Sequence, residues 1–322
     1  MAEQNLAVFG DIIQNREIPS FWRMLNLARE IFHQEFKAVE IMPGGLTNKN
    51  FKITLEDGRD VAIRVAGIGT SNYINRPAEK HNATQMASIG IAPEVYFYDA
   101  ESGSQLCEFV EGPTLHMADF QTRDEVLTQA AVVMHKYHNS GLEFKSSFDP
   151  IAKIGEYRRI LKEAGYEKRY EGWDRIVKTL DALTAAYKKN PPRQVPCHND
   201  TLAENFMYDA DLETMRVIDW EYGGMNDAYY DTACVCVENL LSKKCEDTFF
   251  SAYCGGKPTD EERARLLINK FLVTSHWSTW SLVQISYGKD EEFYWEYGRT
   301  RAVQACGFLD EPDFARYLEL IG

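Results

Sequence analysis

The stretch Phe51 to Val65, FKITLEDGRDVAIRV, constrains the fold more than any other part of this chain. Phe51, Ile53 and Leu55 alternate with polar residues, Asp57-Gly58 supplies a tight turn, and Val61, Ile63 and Val65 alternate again. Period-two alternation on both sides of an Asp-Gly pair predicts an antiparallel hairpin. An amphipathic helix is expected before it, over about 20–36, from Phe21, Leu25, Ala28, Ile31 and Phe32 at three- and four-residue spacing. After it, a helical stretch from about 75 to 90 runs through Ala78, Asn82 and Met86 to Gly90. Pro93 breaks that pattern, and VYFY and QLCEFV read as two further short strands. The order is strand, hairpin, helix, two strands.

Beyond Gly112-Pro113 the character changes. In DEVLTQAAVVMHKYHNSG, Val126, Leu127, Ala130, Val133, Met134 and Tyr137 share one helical face, with Gly141 near the C-cap. More helical pattern covers about 154–189, 228–254 and 260–286, interrupted by a short β region around VPCHND, NFMYD and MRVIDW. This predicts an α+β chain in two lobes. Residues 1–106 form a small N-terminal lobe with an antiparallel sheet and a leading helix, 107–112 connect, and 113–322 form a larger, mainly helical lobe. No internal repeat or low-complexity segment is present.

Composition removes several classes of function. Thirty-five basic against 49 acidic residues give a formal charge of −14, a field that repels nucleic acid and favours a cationic ligand. No apolar run approaches the length of a membrane span. The first twenty residues lack a basic region followed by an apolar one, so a cytoplasmic location is expected. Seven cysteines without a CxxC pair read as scattered reduced thiols, and Cys234 and Cys236 stand too close for a zinc knuckle.

Candidate chemistry concentrates in residues 196–231, PCHNDTLAENFMYDADLETMRVIDWEYGGMNDAYYD. Asp200 is followed five residues later by Asn205, and Asp219 ends the apolar run Met215, Val217, Ile218, where a strand would deliver it to a loop. That set suits phosphoryl transfer: one carboxylate to accept a hydroxyl proton, and hard amide and carboxylate oxygens to hold magnesium. Read singly, such Asp and Asn residues also serve as turn and cap residues. A nucleotide would need a cradle, and GGLTNKNF sits directly before the hairpin. Gly44 and Gly45 permit close backbone approach, while Thr47 and Asn48 can donate hydrogen bonds. Arg64 on the hairpin is a candidate to contact phosphates, with Glu79 on the next helix to orient it; taken alone it reads equally well as a solvated strand arginine.

Together, GGLTNKNF, AIRVAG, NRPAEKHN, LCEFVEG, CHNDTLAENF, VIDWEYGGMNDAYYDTA and HWSTWSLVQ, in this order, resemble choline and ethanolamine kinases, especially the bacterial LicA type. The resemblance covers about 40–305. It implies a protein-kinase-like two-lobed fold that transfers the γ-phosphate of ATP to an alcohol with Mg2+. It makes Asp200 the base, His198 a support of its loop, Asn205 and Asp219 magnesium ligands, and Asp231 a brace of the loop. Arg64 with Glu79 becomes the phosphate-contacting pair, and the hinge strand, including Glu108 and Val110, meets adenine. Arg64 stands where many relatives in the wider superfamily carry Lys, an exchange of point charge for planar fork.

Choline is a quaternary ammonium without N–H donors, so its site depends on aromatic faces and carboxylates. Trp277 and Trp280 share a helical face, and Trp295 and Tyr297 follow after a short acidic loop. The resemblance assigns these four to the choline pocket with Tyr222 and Glu238, and leaves Glu221 between the metal and the substrate. Ethanolamine is the first alternative substrate, then thiamine, an aminoglycoside or another amino alcohol. A nucleotide-binding scaffold without activity is disfavoured because Asp200, Asn205 and Asp219 are all present. The expected partner is a small molecule, with no nucleic acid and no membrane span; oligomeric state, and the pathway that takes the product, are not legible in the sequence.

Overall fold

The computed structural model describes residues 18–42, 48–67, 70 and 74–322. In chain order the strands are β1 (Phe36–Met42), β2 (Lys49–Leu55), β3 (Asp60–Val65), β4 (Val95–Tyr98), β5 (Gln105–Glu108), β6 (Gln194–Cys197), β7 (Phe206–Asp209), β8 (Thr214–Val217) and β9 (Gly224–Asp227). The helices are α1 (Ile18–Phe32), α2 (Arg76–Ser88), α3 (Met117–Thr122), α4 (Asp124–His138), α5 (Pro150–Glu163), α6 (Trp173–Lys189), α7 (Ala228–Glu238), α8 (Lys243–Tyr253), α9 (Asp260–Ser286), α10 (Glu291–Leu309) and α11 (Phe314–Ile321). Single 3₁₀ turns cover Ala203–Asn205 and Trp220–Tyr222. The chain divides into two compact units. One takes the chain up to Pro113 with Phe144–Ser146 and Met207–Gly223, and the other takes the remainder.

In the first unit the strands form an antiparallel sheet in the order β1-β2-β3-β5-β4. The hairpin forms as the alternation predicts, with Phe51 opposite Ile63 and Ile53 opposite Val61. Leu55 N donates to Arg59 O at 2.8 Å, and Gly58 takes φ 93°, a conformation that glycine adopts without a Cβ penalty. The apolar face of the hairpin meets Phe21, Met24, Leu25 and Ala28 of α1, with Leu106 of β5. Each large side chain buried there contributes about 1.5–3 kcal/mol. Alternation along a strand sends neighbours to opposite faces, so committing Ile63 and Val65 to this core turns Arg64 away from it. Helix α2 starts cleanly: the Asn75 side chain accepts from Ala78 N at 3.2 Å, and a proline sits in the first turn.

Strands β7 and β8 pair with each other. The sequence reading counts residues 207–223 with the helical lobe, but hydrogen bonds tie them to the first unit. Val217 N donates to Ile91 O at 2.9 Å, and Asn82 Nδ2 donates to Gly223 O at 2.8 Å.

The second unit is mostly helical, with β6 and β9 as a short antiparallel pair. Its centre is α9, 27 residues long and buried on most of its faces, packed by α5, α7, α10 and α11. A capping box fixes its start: Thr259 Oγ1 accepts from Glu262 N at 3.2 Å while the Glu262 carboxylate accepts from Thr259 N at 2.7 Å. The helical pattern over 154–189 is two helices, because Gly165 and Gly172 turn the chain at φ 64° and 79°. The pattern over 228–254 likewise divides, with Leu240 at φ 48° between α7 and α8.

Candidate active site

In the first unit, charged side chains collect around Arg64. Its guanidinium pairs with both Glu79 and Asp219. Arg76 Nη1 reaches Glu79 Oε2 at 2.7 Å and Glu221 Oε2 at 3.7 Å, and the Tyr98 hydroxyl donates to Glu79. Asn48 Nδ2 faces Asp219 Oδ2 and Glu221 Oε2, each at 3.4 Å. Burial works against the charge on Glu79, but Arg64 and Arg76 outweigh it and hold the carboxyl below its ordinary range. Glu221 moves the other way: burial first, then the Asp219 carboxylate, push it up to about 7. Burial also opposes the charge on Arg64, and the surrounding carboxylates, Glu79 first, more than restore it.

Asp219 follows β8 at φ 63°. A left-handed backbone at a non-glycine residue costs free energy and persists where its surroundings enforce it. Glu79, Asp219 and Glu221 each present a carboxylate oxygen within 4.8 Å of one another. This is an all-oxygen donor set of the kind that Mg2+ prefers, and the side chain of Asp219, at 31% exposure, is the most open of the three. Tyr222 is half-buried in the same 3₁₀ turn as Glu221. Glu108 ends β5 with its carboxylate 2.7 Å from Arg216, and Val110 follows two residues later, half-buried. Gly44, Gly45 and Thr47 lie outside the described residues.

In the second unit, the loop after β6 carries His198, Asn199 and Asp200. Asp231 holds this loop from the first turns of α7. Its Oδ2 accepts from His198 N and its Oδ1 from Asn199 N, both at 2.7 Å, and Thr201 Oγ1 donates to its carbonyl at 2.9 Å. Asn199 is thereby kept at φ 67°. Asp231 is itself supported by Tyr137 at 2.7 Å and His138 Nε2 at 3.2 Å, whose Nδ1 lies 2.8 Å from the Tyr253 hydroxyl. Burial disfavours the charge on Asp231, yet His138 and the two amides keep the carboxyl below its ordinary range. The cluster His138, Cys197 and Asp231 could be mistaken for a metal centre, but both imidazole nitrogens are taken by hydrogen bonds. His198 is buried, with Nδ1 3.3 Å from Asp200 N, while Asp200 is half-buried. Asn205 Nδ2 donates to Asp200 O at 2.7 Å, which leaves its amide oxygen as the free end for a cation.

The same unit holds an aromatic group. Trp277 and Trp280 meet edge to face at 5.5 Å, and Trp280 contacts Tyr294 at 5.6 Å and Tyr297 at 6.0 Å. Trp295 does not join them. It lies two positions from Tyr297 on α10, roughly 200° around the helix, and packs on Tyr170 at 4.6 Å with Lys168 Nζ 3.8 Å over its ring. Glu238, at the end of α7, is nearly fully buried and paired with Arg301 of α10. Sequence reasoning missed Arg301, Arg76 and Tyr98. Helical spacing holds a signal for the first two: Arg301 is four residues after Tyr297, and Arg76 three before Glu79.

The fold is that of the protein-kinase-like small-molecule kinases. An aminoglycoside phosphotransferase, APH(2'')-Ib, shares it at TM-score 0.59 over 92% of this chain and 99% of its own, at 12% identity. A choline/ethanolamine kinase family protein from Mesorhizobium loti superposes at TM-score 0.79 with 28% identity, covering 92% of this chain and 99% of that one. Choline kinase LicA from Streptococcus pneumoniae superposes at 0.70 with 25% identity, covering 88% and 99%. Among characterised sequences, protein LicA of Haemophilus influenzae is 28% identical over 279 residues, 83% of this chain and 79% of its own. Ethanolamine kinase 2 of Mus musculus is 27% identical over 302 residues, 85% and 77%. The family model described as choline/ethanolamine kinase matches residues 39–306, and the chain belongs to that family. It is therefore a nucleotide-using kinase that phosphorylates an alcohol group on a small molecule.

Proposed function

We propose that the protein is an ATP- and Mg2+-dependent choline kinase that forms phosphocholine and ADP. The observation that carries this reading is the group Trp277, Trp280 and Tyr297 with buried Glu238, on the same unit as Asp200. Aromatic faces bind a quaternary ammonium without hydrogen bonds, each contact contributing about 0.5–2 kcal/mol. The Tyr297 hydroxyl is held well above its ordinary range by burial first and then Glu238, with Arg301 opposing and Asp200 adding to the shift.

In the proposed reaction, Asp200 accepts the proton of the choline hydroxyl as its oxygen attacks the γ-phosphorus and the bond to the β,γ-bridging oxygen breaks. His198 and Asp231 hold the loop that presents this carboxylate. Asn205 and Asp219 are the residues that would hold Mg2+, which when bound supplies charge neutralisation on the phosphates. Arg64, kept charged and oriented by Glu79, contacts phosphate oxygens; Asn48, with Gly44, Gly45 and Thr47, belongs to the cradle. The backbone from Glu108 to Val110 receives adenine. Glu221 and Tyr222 complete the acceptor side. Trp295, with its ring already under Lys168, stands at the margin of this assignment.

Ethanolamine is the second reading, favoured by the carboxylates that a primary ammonium requires and by the identity to ethanolamine kinase 2. The test is Asp200→Asn. Loss of an assigned base lowers kcat on the order of a hundredfold or more with the amine KM little changed. Near wild-type kcat in this variant would remove Asp200 from the mechanism.

A further inference from the structure

We infer that Arg301 is a positioning residue that sets which class of ammonium the acceptor site takes, biasing it toward quaternary over primary amines. This inference rests on the choline kinase reading above. Arg301 engages both oxygens of Glu238, Nε to Oε1 at 3.2 Å and Nη2 to Oε2, and the two side chains are 15% and 3% exposed. Its guanidinium lies 3.5 Å from the centroid of the Tyr297 ring. A bidentate pair of this kind is the strong form of the arginine–carboxylate interaction, and its geometry is directional. Among the described residues, the Glu238 carboxylate has no other hydrogen-bond partner.

Three consequences follow for a bound ammonium. The buried Glu238 carboxylate, linked to Tyr297 through Arg301, is neutralised by an internal cation. Both of its oxygens are already oriented toward that cation. One face of Tyr297 is covered by Arg301, and Phe293 stacks near-parallel to the same ring at 6.5 Å, so a ligand meets this group mainly through the tryptophans that pack against it. A trimethylammonium loses little in such a site, because it donates no N–H bond and is satisfied by aromatic faces. A primary ammonium must exchange its water hydrogen bonds for a carboxylate that Arg301 already neutralises and whose lone pairs it shares, and an unmatched buried donor is penalised. Arg301 thus acts through Glu238 and Tyr297, without touching the reacting atoms.

The test compares kcat/KM for choline and for ethanolamine, with the KM of ATP as an internal standard, in wild type, Arg301→Met, Arg301→Lys and the double variant Glu238→Gln/Arg301→Met. Arg301→Met frees the Glu238 carboxylate and should move the choline-to-ethanolamine ratio about tenfold toward ethanolamine, the scale on which polar matching discriminates. The ATP KM should stay within about twofold, since uniform damage would move both substrates. Arg301→Lys, with a single ammonium that engages one oxygen, should shift the ratio by about threefold. The double variant, lacking the freed carboxylate, should return to the wild-type ratio. An unchanged ratio in Arg301→Met overturns the inference, and if that variant does not fold, an unchanged ratio in Arg301→Lys does so. Wild-type enzyme that turns over neither amine overturns the choline kinase reading and this inference with it. Choline turnover with an unmoved ratio overturns this inference alone.

Discussion

At the scale of single residues, the protein tolerates charge in its interior only where opposite charge or backbone amides meet it. Glu79 has two guanidiniums, Asp231 two amides and a histidine, and Glu238 one arginine. His276 is the contrast. It is fully buried among Phe148, Tyr157 and Trp277, and neither ring nitrogen has a hydrogen-bond partner among the described residues. Burial pushes its pKa down from 6.5 to about 3. The folded protein therefore keeps this ring neutral at a pH where the unfolded chain would protonate it. Its contribution is fully present above about pH 6.5 and is lost as the pH falls toward about 3. Urea unfolding at these pH values should show wild type losing about 2 kcal/mol more than His276→Leu between about pH 6.5 and about pH 5. Parallel pH profiles for the two proteins would show that His276 is hydrated or paired in the folded state. This histidine shows what one residue in a sequence conceals, since HWSTW displays a Trp pair at helical spacing but not the packing around its neighbour.

At the scale of elements, legibility followed pattern strength. The hairpin of β2 and β3 was readable because a period of two brackets an Asp-Gly turn, and α4 because six apolar residues share its face. Helix α10 was not. Its buried residues are Gly298, Ala302 and Ala305, a seam of small side chains that produces no apolar periodicity. That seam permits close approach to α9: a Cβ on Gly298 would stand 1.9 Å from Ser281 Oγ and 2.2 Å from Tyr170 Oη. Gly298→Ala should cost about 1–3 kcal/mol of stability, as overpacking does, measured by thermal or urea unfolding. Because α10 also carries Tyr297 and Arg301, the same variant should raise the amine KM more than the ATP KM. A variant as stable as wild type would mean that the two helices separate without cost. The aromatic quartet expected from sequence is split at Trp295 for a related reason: residues two apart on a helix face different ways, and a stretch given no secondary structure hides that rule.

At the scale of the whole molecule, the order of motifs along the chain specified the family, while the fold was visible more coarsely, as a β-rich part followed by a helical part. The assignment of residues 207–223 to the sheet-bearing unit was hidden, because hydrogen bonds such as Val217 to Ile91 span 126 positions of sequence. The proposed catalytic residues were legible for a chemical reason. Asp200, Asn205 and Asp219 are spaced by the local geometry of one loop and one hairpin, whereas the guanidinium partners Arg76 and Arg301 act across separate elements. No helix among the described residues is long and apolar enough to cross a membrane. The formal charge of −14 suits a cationic small substrate. Replacing Asp219 with Ala should abolish most activity at any ATP concentration and leave residual turnover that responds to added Mg2+; full activity would dismiss its role toward the metal.

On the proposed function, this kinase uses its aromatic group to select choline. The direct measurement is ADP release by the intact protein, with ATP and Mg2+, against choline, ethanolamine, thiamine and an aminoglycoside, compared as kcat/KM. Choline should come first and ethanolamine second, by about tenfold. Ethanolamine first, or turnover of thiamine or the aminoglycoside alone, would contradict it while leaving the phosphoryl-transfer residues in place.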